Sequence, residues 1–234
     1  MGHHRGAHPD DARLFAEAEL PRLRRAAEEV AWLLERGWSL ETTLAAVTAH
    51  HQLEARQRLA LSRAIAAPSR VAARRAKALP LDGLAGRALD VDAFNVVITL
   101  EVALGGGPIF LGPDGAPRDL AGLRGSYRLV DETEPVIALV ADTLAGLALA
   151  SARLWLDAPV SNSGRLAALL REAAPRFGCP VEVTLVPNAD AALVGAAAVA
   201  SSDAVVIERA EAWVNLTGAI LDARLPDAWR VRLP

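Results

Sequence analysis

RALDVDAFNVVITLE, residues 87–101, is the stretch whose reading decides the fold. Its first half alternates apolar side chains with acids and closes on Asp92, and Ala93-Phe94-Asn95 then leads into a second apolar run that carries Glu101. The pattern predicts a buried strand over 87–92, a tight turn, and a helix from about 95 to 104. One long strand through Thr99 fits the same residues, because such short apolar runs do not separate the two. In the strand–helix reading Asp92 stands at the C-terminal end of a strand with Asn95 beside it. That is the edge at which open α/β sheets hold their ligands.

Downstream, the triple glycine 105–107 and Pro108 break the helix. The glycines fit neither GxxxxGK[ST] nor GxGxxG, so they read as a flexible turn rather than a phosphate loop. Residues 109–111 and those around Arg118 flank Gly112-Pro113-Asp114-Gly115 as a β-hairpin, followed by a loop over 122–130 and a helix from about 133 to 150. Strand and helix then alternate as a parallel sheet requires. A strand over 153–156 ends in Asp157, followed by the loop APVSNSG and a helix to Phe177; a strand over 180–186 leads to Pro187-Asn188-Ala189-Asp190 and a short helix. A strand over 197–200 closes in Ser201-Ser202-Asp203, Asp203 caps a helix running toward Trp213, and a short strand over 214–216 precedes a terminal helix.

Upstream the pattern is helical. Apolar residues recur at three-to-four spacing over 10–36, Pro21 breaks or begins a helix, Gly37 suits a C-cap and Ser39 an N-cap. Helices over 39–50 and 54–65 read as packed helices or as a helix-turn-helix with Arg56, Arg58 and Arg63 on phosphate. Residues 68–80, PSRVAARRAKALP, form a basic connector. The expected division is a disordered N-terminus over 1–12, an all-α helical region over 13–80, and an α/β domain with a mostly parallel central sheet over 81–234.

The 234 residues, 52% hydrophobic and 23% charged, describe a globular protein with ample core. The densest apolar segment, 136–156, is interrupted by Asp142 and Arg153, which argues against a membrane span. No signal-peptide run opens the sequence, so a cytoplasmic protein is expected. The single cysteine, Cys179, excludes an intramolecular disulfide and a cysteine zinc site, and all five histidines (His3, His4, His8, His50, His51) precede residue 52. Residues 1–80 carry a net charge of +4 and 81–234 a net charge of −7. That asymmetry suits a nucleic-acid-facing helical part joined to an acidic metal-binding part, or a chance spread of solvated faces. Exposed Trp or Leu on the terminal helices would mark a homo-oligomer face, although Trp213 and Trp229 read equally well as core.

Asp92, Asp157, Asp190 and Asp203 each stand at or just beyond a predicted strand's C-terminal end, and in a parallel sheet those ends share one edge. Converged carboxylates raise one another's pKa unless a cation sits among them, and an oxygen-only set suits Mg²⁺ or Mn²⁺. Glu101 on the first helix would add a ligand. Singly, each acid has a local explanation: Asp190 and Asp203 as helix N-caps, Asp157 orienting the APVSNSG loop, Asp92 stabilising its turn. Asn162 and Ser163 would hold a phosphate through side chains and free N–H groups, or else Ser161 or Ser163 is a simple cap.

The segments VDAFNV, WLDAPVSNSGRL, VPNADAAL and ASSDAVVIERAEAWVNL resemble PIN-like nucleases, in particular the NYN (YacP-like) branch, over 87–217. The matching positions are Asp92 with Asn95, Asp157, Ala189-Asp190 and Ser201-Ser202-Asp203. Ala93-Phe94 departs from the Gly-Tyr or Gly-Asn common there, and a hairpin is inserted after the first helix. Over roughly 20 to 220 the chain also resembles a prokaryotic family, domain of unknown function 434. The nuclease resemblance implies a three-layer α/β/α PIN-like domain with metal-dependent ribonuclease chemistry: Asp92, Asp157, Asp190, Asp203 and Glu101 on the metal, Asn95, Ser161, Asn162, Ser163 and Ser202 toward the substrate, and RNA or another nucleic acid as partner. Two alternatives remain: a non-catalytic nucleic-acid-binding or regulatory module, and a haloacid-dehalogenase-like phosphatase using Asp90-Val91-Asp92. The second usually needs a downstream lysine, and the one lysine here, Lys77, lies upstream.

Overall fold

The computed structural model describes residues 3–122 and 125–234; positions 1, 2, 123 and 124, within the segments read as a disordered N-terminus and as the loop 122–130, lie outside the described residues. The chain opens with five helices: α1 (Asp11–Leu14), α2 (Leu20–Glu35), α3 (Leu40–His50), α4 (Ala55–Ala64) and α5 (Pro68–Ala76). The stretch over 10–36 is therefore two helices, and Pro21 opens the second in its first turn, where its missing N–H leaves nothing unpaired. Ser39 Oγ accepts the Thr42 N–H and starts α3. Gln57 Oε1 accepts the Glu54 N–H at the start of α4, and Gln57 Nε2 donates to the Leu14 carbonyl, tying α4 to α1.

The remainder runs β1 (Ala78–Leu79), β2 (Ala88–Asp92), α6 (Ala93–Leu104), β3 (Ile109–Leu111), β4 (Pro117–Arg118), α7 (Thr133–Ala145), β5 (Ser151–Asp157), α8 (Ser163–Glu172), β6 (Val181–Val186), α9 (Ala189–Ala192), β7 (Val199–Ala200), α10 (Ala204–Arg209), β8 (Trp213–Val214), α11 (Leu216–Arg224) and β9 (Arg230–Arg232). Residues 87–101 thus form a strand and a helix, with α6 following β2 directly because Asp92 itself caps it. All pairings in the six-stranded sheet, ordered β1-β8-β7-β2-β5-β6, are parallel. Reading outward from β2, the chain first lays strands to one side (β5, β6) and then to the other (β7, β8). The topological switch point therefore falls between β2 and β7, and open α/β sheets bind ligands in the crevice outside the strand ends there.

Period-two alternation gives the sheet two covered faces. Leu89, Val91, Leu154, Leu156, Ala200 and Val214 enter the large core with α6, α7, α8 and α11, while Val199, Trp213 and Trp155 turn to a smaller core with α9 and α10. Asp90 and Asp92 share the smaller-core face. Asp90 accepts hydrogen bonds there from Arg153 and from Trp155 Nε1 (2.8 Å). The helices α1–α4 form a third core completed by Phe110, Leu120, Val231 and Leu233 of the hairpin and C-terminus. The boundary expected near residue 80 is accordingly not a break in packing.

Several expectations need correction. The segment over 68–80 is not a connector: its Pro68 opens α5, Arg74 is buried against Asp114 and Glu208, and β1 pairs with β8. α3 and α4 are packed helices: Arg56 is clamped by the buried Asp11 at 2.6 and 2.8 Å, and Arg63 donates through one nitrogen to the Asp119 and Ala121 carbonyls. The N-terminal segment from residue 3 is not loose, because Arg5 Nε donates to the buried Glu101 carboxylate at 2.7 Å. The glycine run seats it: a Cβ on Gly105 would lie 2.8 Å from the Arg5 carbonyl oxygen, and one on Gly6 would lie 2.7 Å from that of Gly105. α7 stops at Ala145, before Gly146, rather than reaching 150. Trp213 is core, its Nε1 donating to the Arg74 carbonyl, and Trp229 packs against the helical core, so neither marks an oligomer face. No described helix is long and apolar enough to cross a membrane.

Candidate functional site

Four of the acids singled out from the sequence line one cavity of about 500 Å³ at the C-terminal edge of the sheet. Each arrives by a different route. Asp92 ends β2 and caps α6, its Oδ1 accepting the Asn95 N–H at 3.2 Å and its Oδ2 the Ser201 hydroxyl at 2.8 Å. Asp157 ends β5 and accepts the Ala189 N–H at 2.7 Å, which fixes the start of α9 and so the position of Asp190. Asp203 follows β7 and caps α10 through the Val205 and Val206 N–H groups. Asp190 is no cap, since Asn188 accepts the Ala191 N–H instead, and its carboxylate makes no hydrogen bond among the described residues. Capping and convergence are not alternatives here. A cap places a carboxylate at a strand–helix junction, and the sheet gathers those junctions at one edge.

Asn95 and Ser202 also line the cavity, but they face each other: Asn95 Oδ1 accepts from the Ser202 N–H (2.8 Å) and hydroxyl (2.9 Å). Together they lock the end of β7 to the start of α6 across the switch point. Ser161, Asn162 and Ser163 do not line it. Ser161 bridges to Ser126, Asn162 adopts φ +61 and donates to the Tyr127 carbonyl, and Ser163 donates to the Ala158 carbonyl, so this turn braces the loop before α7. Glu101 is not at the site either. It sits nine residues past Asp92, about 13 Å along the helix axis, fully buried and bonded to Arg5, Tyr127 and Thr133.

Sequence reasoning missed a fifth carboxylate. Asp119, beyond the hairpin, lines the same cavity, held by Thr99 Oγ1 at 2.7 Å and the Ala121 N–H at 2.7 Å. Arg63 of α4 and Arg118 of β4 complete that wall. Arg118 is committed to Asp114 at 2.6 and 2.7 Å. Arg63 uses one nitrogen on the 119–121 backbone and keeps its side chain about a third exposed at 32%. No single-sequence signal marks Asp119, because it follows no strand of the main sheet.

The electrostatics follow from that crowding. Burial raises the Asp92 carboxyl to about 7; the Ser201 hydroxyl and Asn95 N–H oppose this, and the charges of Asp190 and Asp203 add to it. Asp190 is raised by burial and then by Asp203 and Asp157, with Arg209 opposing. Asp119 is raised by burial against the hydrogen bond from Thr99 and the charge of Arg63. Such mutual repulsion is relieved by a cation. The donor set is oxygen throughout, which fits Mg²⁺ or Mn²⁺ rather than Zn²⁺. No three of these carboxylates bring oxygens within 4.8 Å of one another, so the set fits a hydrated ion held by one or two carboxylates and water, the usual state of Mg²⁺, rather than a closed cage.

Comparison with known proteins divides the chain near residue 80, although packing is continuous across that point. A family model described as "Protein of unknown function (DUF434)" matches residues 22–77, the helical region alone, so that resemblance does not reach to 220. A second, described as "Domain of unknown function (DUF5616)", matches 81–219. An "Uncharacterized protein MJ0935" of Methanocaldococcus jannaschii is 31% identical over 186 residues, 80% of this chain and 89% of that protein. That span exceeds either family match, so the helices and the sheet occur together in the relative. No solved structure matches. With more than half its length under that model and every sheet acid inside it, the chain belongs to the family described as Domain of unknown function (DUF5616).

Proposed function

We propose that the cleft is the active site of a Mg²⁺- or Mn²⁺-dependent ribonuclease on a PIN-like domain. The observation that carries this reading is the meeting of Asp92, Asp157, Asp190 and Asp203, from four separate segments, in one cavity beside the switch point, with Asp119 lining the same cavity. A cation bound there supplies a water of lowered pKa and neutralises charge on the phosphodiester. The chain's own residues do the rest. Asp190, exposed and without an internal hydrogen bond, together with the unbonded oxygens of Asp157 and Asp203, takes the ion. With a cation beside it, the Asp92 carboxyl would release its proton to solvent and stay ionised. Asn95 and Ser202 hold the two sides of the switch point in register, and the exposed part of Arg63, which lines the same cavity, meets a substrate phosphate. The positive charge of the helical region adds backbone affinity that falls with salt.

The phosphatase reading has no support in this geometry, since Lys77 donates to the Glu208 and Ala210 carbonyls and Asp90 is engaged by Arg153 and Trp155. The test is cleavage of a labelled single-stranded RNA with Mn²⁺, with EDTA, and by Asp190→Asn, whose exposed, unbonded side chain leaves the fold intact. Metal-dependent cleavage abolished in the folded variant is expected. A folded wild type that cleaves neither RNA nor DNA with either ion, yet binds RNA in a salt-dependent way, would replace the enzyme by a binding module.

A further inference from the structure

A second cluster of side chains lies on the helical region, away from the acidic cleft. Glu29 of α2 and His50 and His51 at the end of α3 each bring one ligand-type atom within 4.8 Å of the others. His51 is the residue at which α3 stops. Neighbours in sequence do not face each other on an intact helix, and the helix end lets the two imidazoles meet edge to face, with centroids 4.9 Å apart. Packing of α2 along α3 delivers the carboxylate, its Oε2 3.0 Å from His51 Nε2.

That nitrogen carries the argument. The His51 side chain is 10% exposed and its Nε2 is shielded from solvent, yet it makes no hydrogen bond of acceptable geometry: the carboxylate is near but misaligned. Buried polar atoms are ordinarily satisfied, so one left open beside a second imidazole and a carboxylate lacks a partner of another kind. Arg22 donates to the His51 and Gln52 carbonyls and pairs with Glu19, so it is engaged on the backbone side rather than with the His51 ring.

We infer that Glu29, His50 and His51 bind a late first-row divalent cation, with Zn²⁺ the reference case. Two imidazole nitrogens and one carboxylate oxygen are a recognised zinc donor set that leaves the fourth position to water. Ligand atoms about 2.1 Å from a tetrahedral ion lie roughly 3.4 Å from one another, so the 3.0 Å pair and the 4.8 Å limit need only side-chain rotation to close. The exposure of His50 and Glu29 gives the ion its entry path. Softness separates the two sites of the molecule: nitrogen donors on the helices favour Zn²⁺, oxygen donors in the cleft favour Mg²⁺ or Mn²⁺. Bound, the ion would staple the end of α3 to α2.

The experiment measures Zn²⁺ affinity of the full chain by competition with a chromophoric chelator, with Tm in parallel. His3, His4 and His8 are replaced by Ala in the background so that N-terminal imidazoles do not contribute. One Zn²⁺ per chain is expected to remain there and to raise Tm, while His50→Ala and Glu29→Gln, both at exposed positions, weaken it by about 100-fold or more without changing Tm in EDTA. The Co²⁺-loaded background should show tetrahedral visible bands that His50→Ala removes. Zn²⁺ held equally by His50→Ala, lost in the N-terminal background, or bound no better than millimolar would overturn the site.

Discussion

Asp92→Asn tests the electrostatics of the cleft without any substrate. Asp92 is buried, and its carboxyl is raised from its ordinary 3.8 to about 7. The sign follows from proton binding: between those values the folded chain holds a proton that the unfolded chain has released, so folding stability falls as pH rises through that window and levels off above it. The full displacement is worth about 4 kcal/mol in the metal-free protein. An asparagine keeps the acceptor for the Asn95 N–H but presents an amide to Ser201, whose oxygen already accepts the Asp203 N–H, at a cost of about 1 kcal/mol. The variant should therefore be equal to or slightly less stable than wild type at pH 4 and about 3 kcal/mol more stable at pH 8. At this chain length that corresponds to roughly 6–12 °C in Tm. Urea unfolding in EDTA at pH 4, 6 and 8 reads the crossing. A difference that does not change with pH, or a variant less stable than wild type at pH 8, would refute the placement of Asp92 as a desolvated, repelled carboxylate. Mn²⁺ at pH 8 should close the gap by stabilising wild type alone.

Asp114→Asn should cost about 3–5 kcal/mol by denaturant unfolding, because it leaves Arg74 and Arg118, both buried, without their shared carboxylate. Burial would raise the Asp114 carboxyl, but Arg118 and Arg74 outweigh it and hold it low, so this contribution is present at neutral pH and is lost only as pH falls below the ordinary carboxylate value. Gly112→Ala should cost about 2–4 kcal/mol, since its Cβ would stand 2.2 Å from the Ala64 carbonyl oxygen, backbone that cannot rotate away; an unchanged Tm would show that α4 and the hairpin are not in firm contact. Arg5→Ala removes the cation beside Glu101, whose carboxyl burial already raises against the bonds from Thr133, Tyr127 and Arg5. Its loss should exceed about 1 kcal/mol at pH 8 and shrink at pH 5, checked by paired melts, and a larger loss at pH 5 would contradict it.

The sheet was legible because its signals are local. Each of β2, β5, β6 and β7 is a short apolar run closed by turn chemistry, and the parallel order follows from helices between strands. The illegible parts depend on distant partners. β9 reads Arg-Val-Arg, with no periodicity of its own, and exists because β3 offers an edge. Residues 68–80 look solvated because four basic side chains dominate them, yet Arg74 is buried by acids from 114 and 208. The N-terminus looks loose because its anchor, Glu101, lies 96 residues away.

The same distinction runs through the site. Asp92 and Asp203 were found because each also does a local task, bonding an N–H at the start of the next helix, and that task leaves a residue type and a position in the sequence; Asp157 was found because it closes an apolar strand, although the N–H it bonds is that of Ala189, 32 residues on. Glu101, assigned by adjacency alone, went to the core, and Ser161 to Ser163 went to a brace. Asp119 was invisible for the opposite reason, since its place in the cleft depends on Arg63 and Thr99 arriving from elsewhere. Asp190 is the informative case. Its local explanation was a cap, and Asn188 took that position instead. A carboxylate left without a structural task, raised in pKa by burial and then by two neighbouring acids, destabilises the chain that carries it. Of the acids in the cleft it is therefore the one whose presence most needs a ligand.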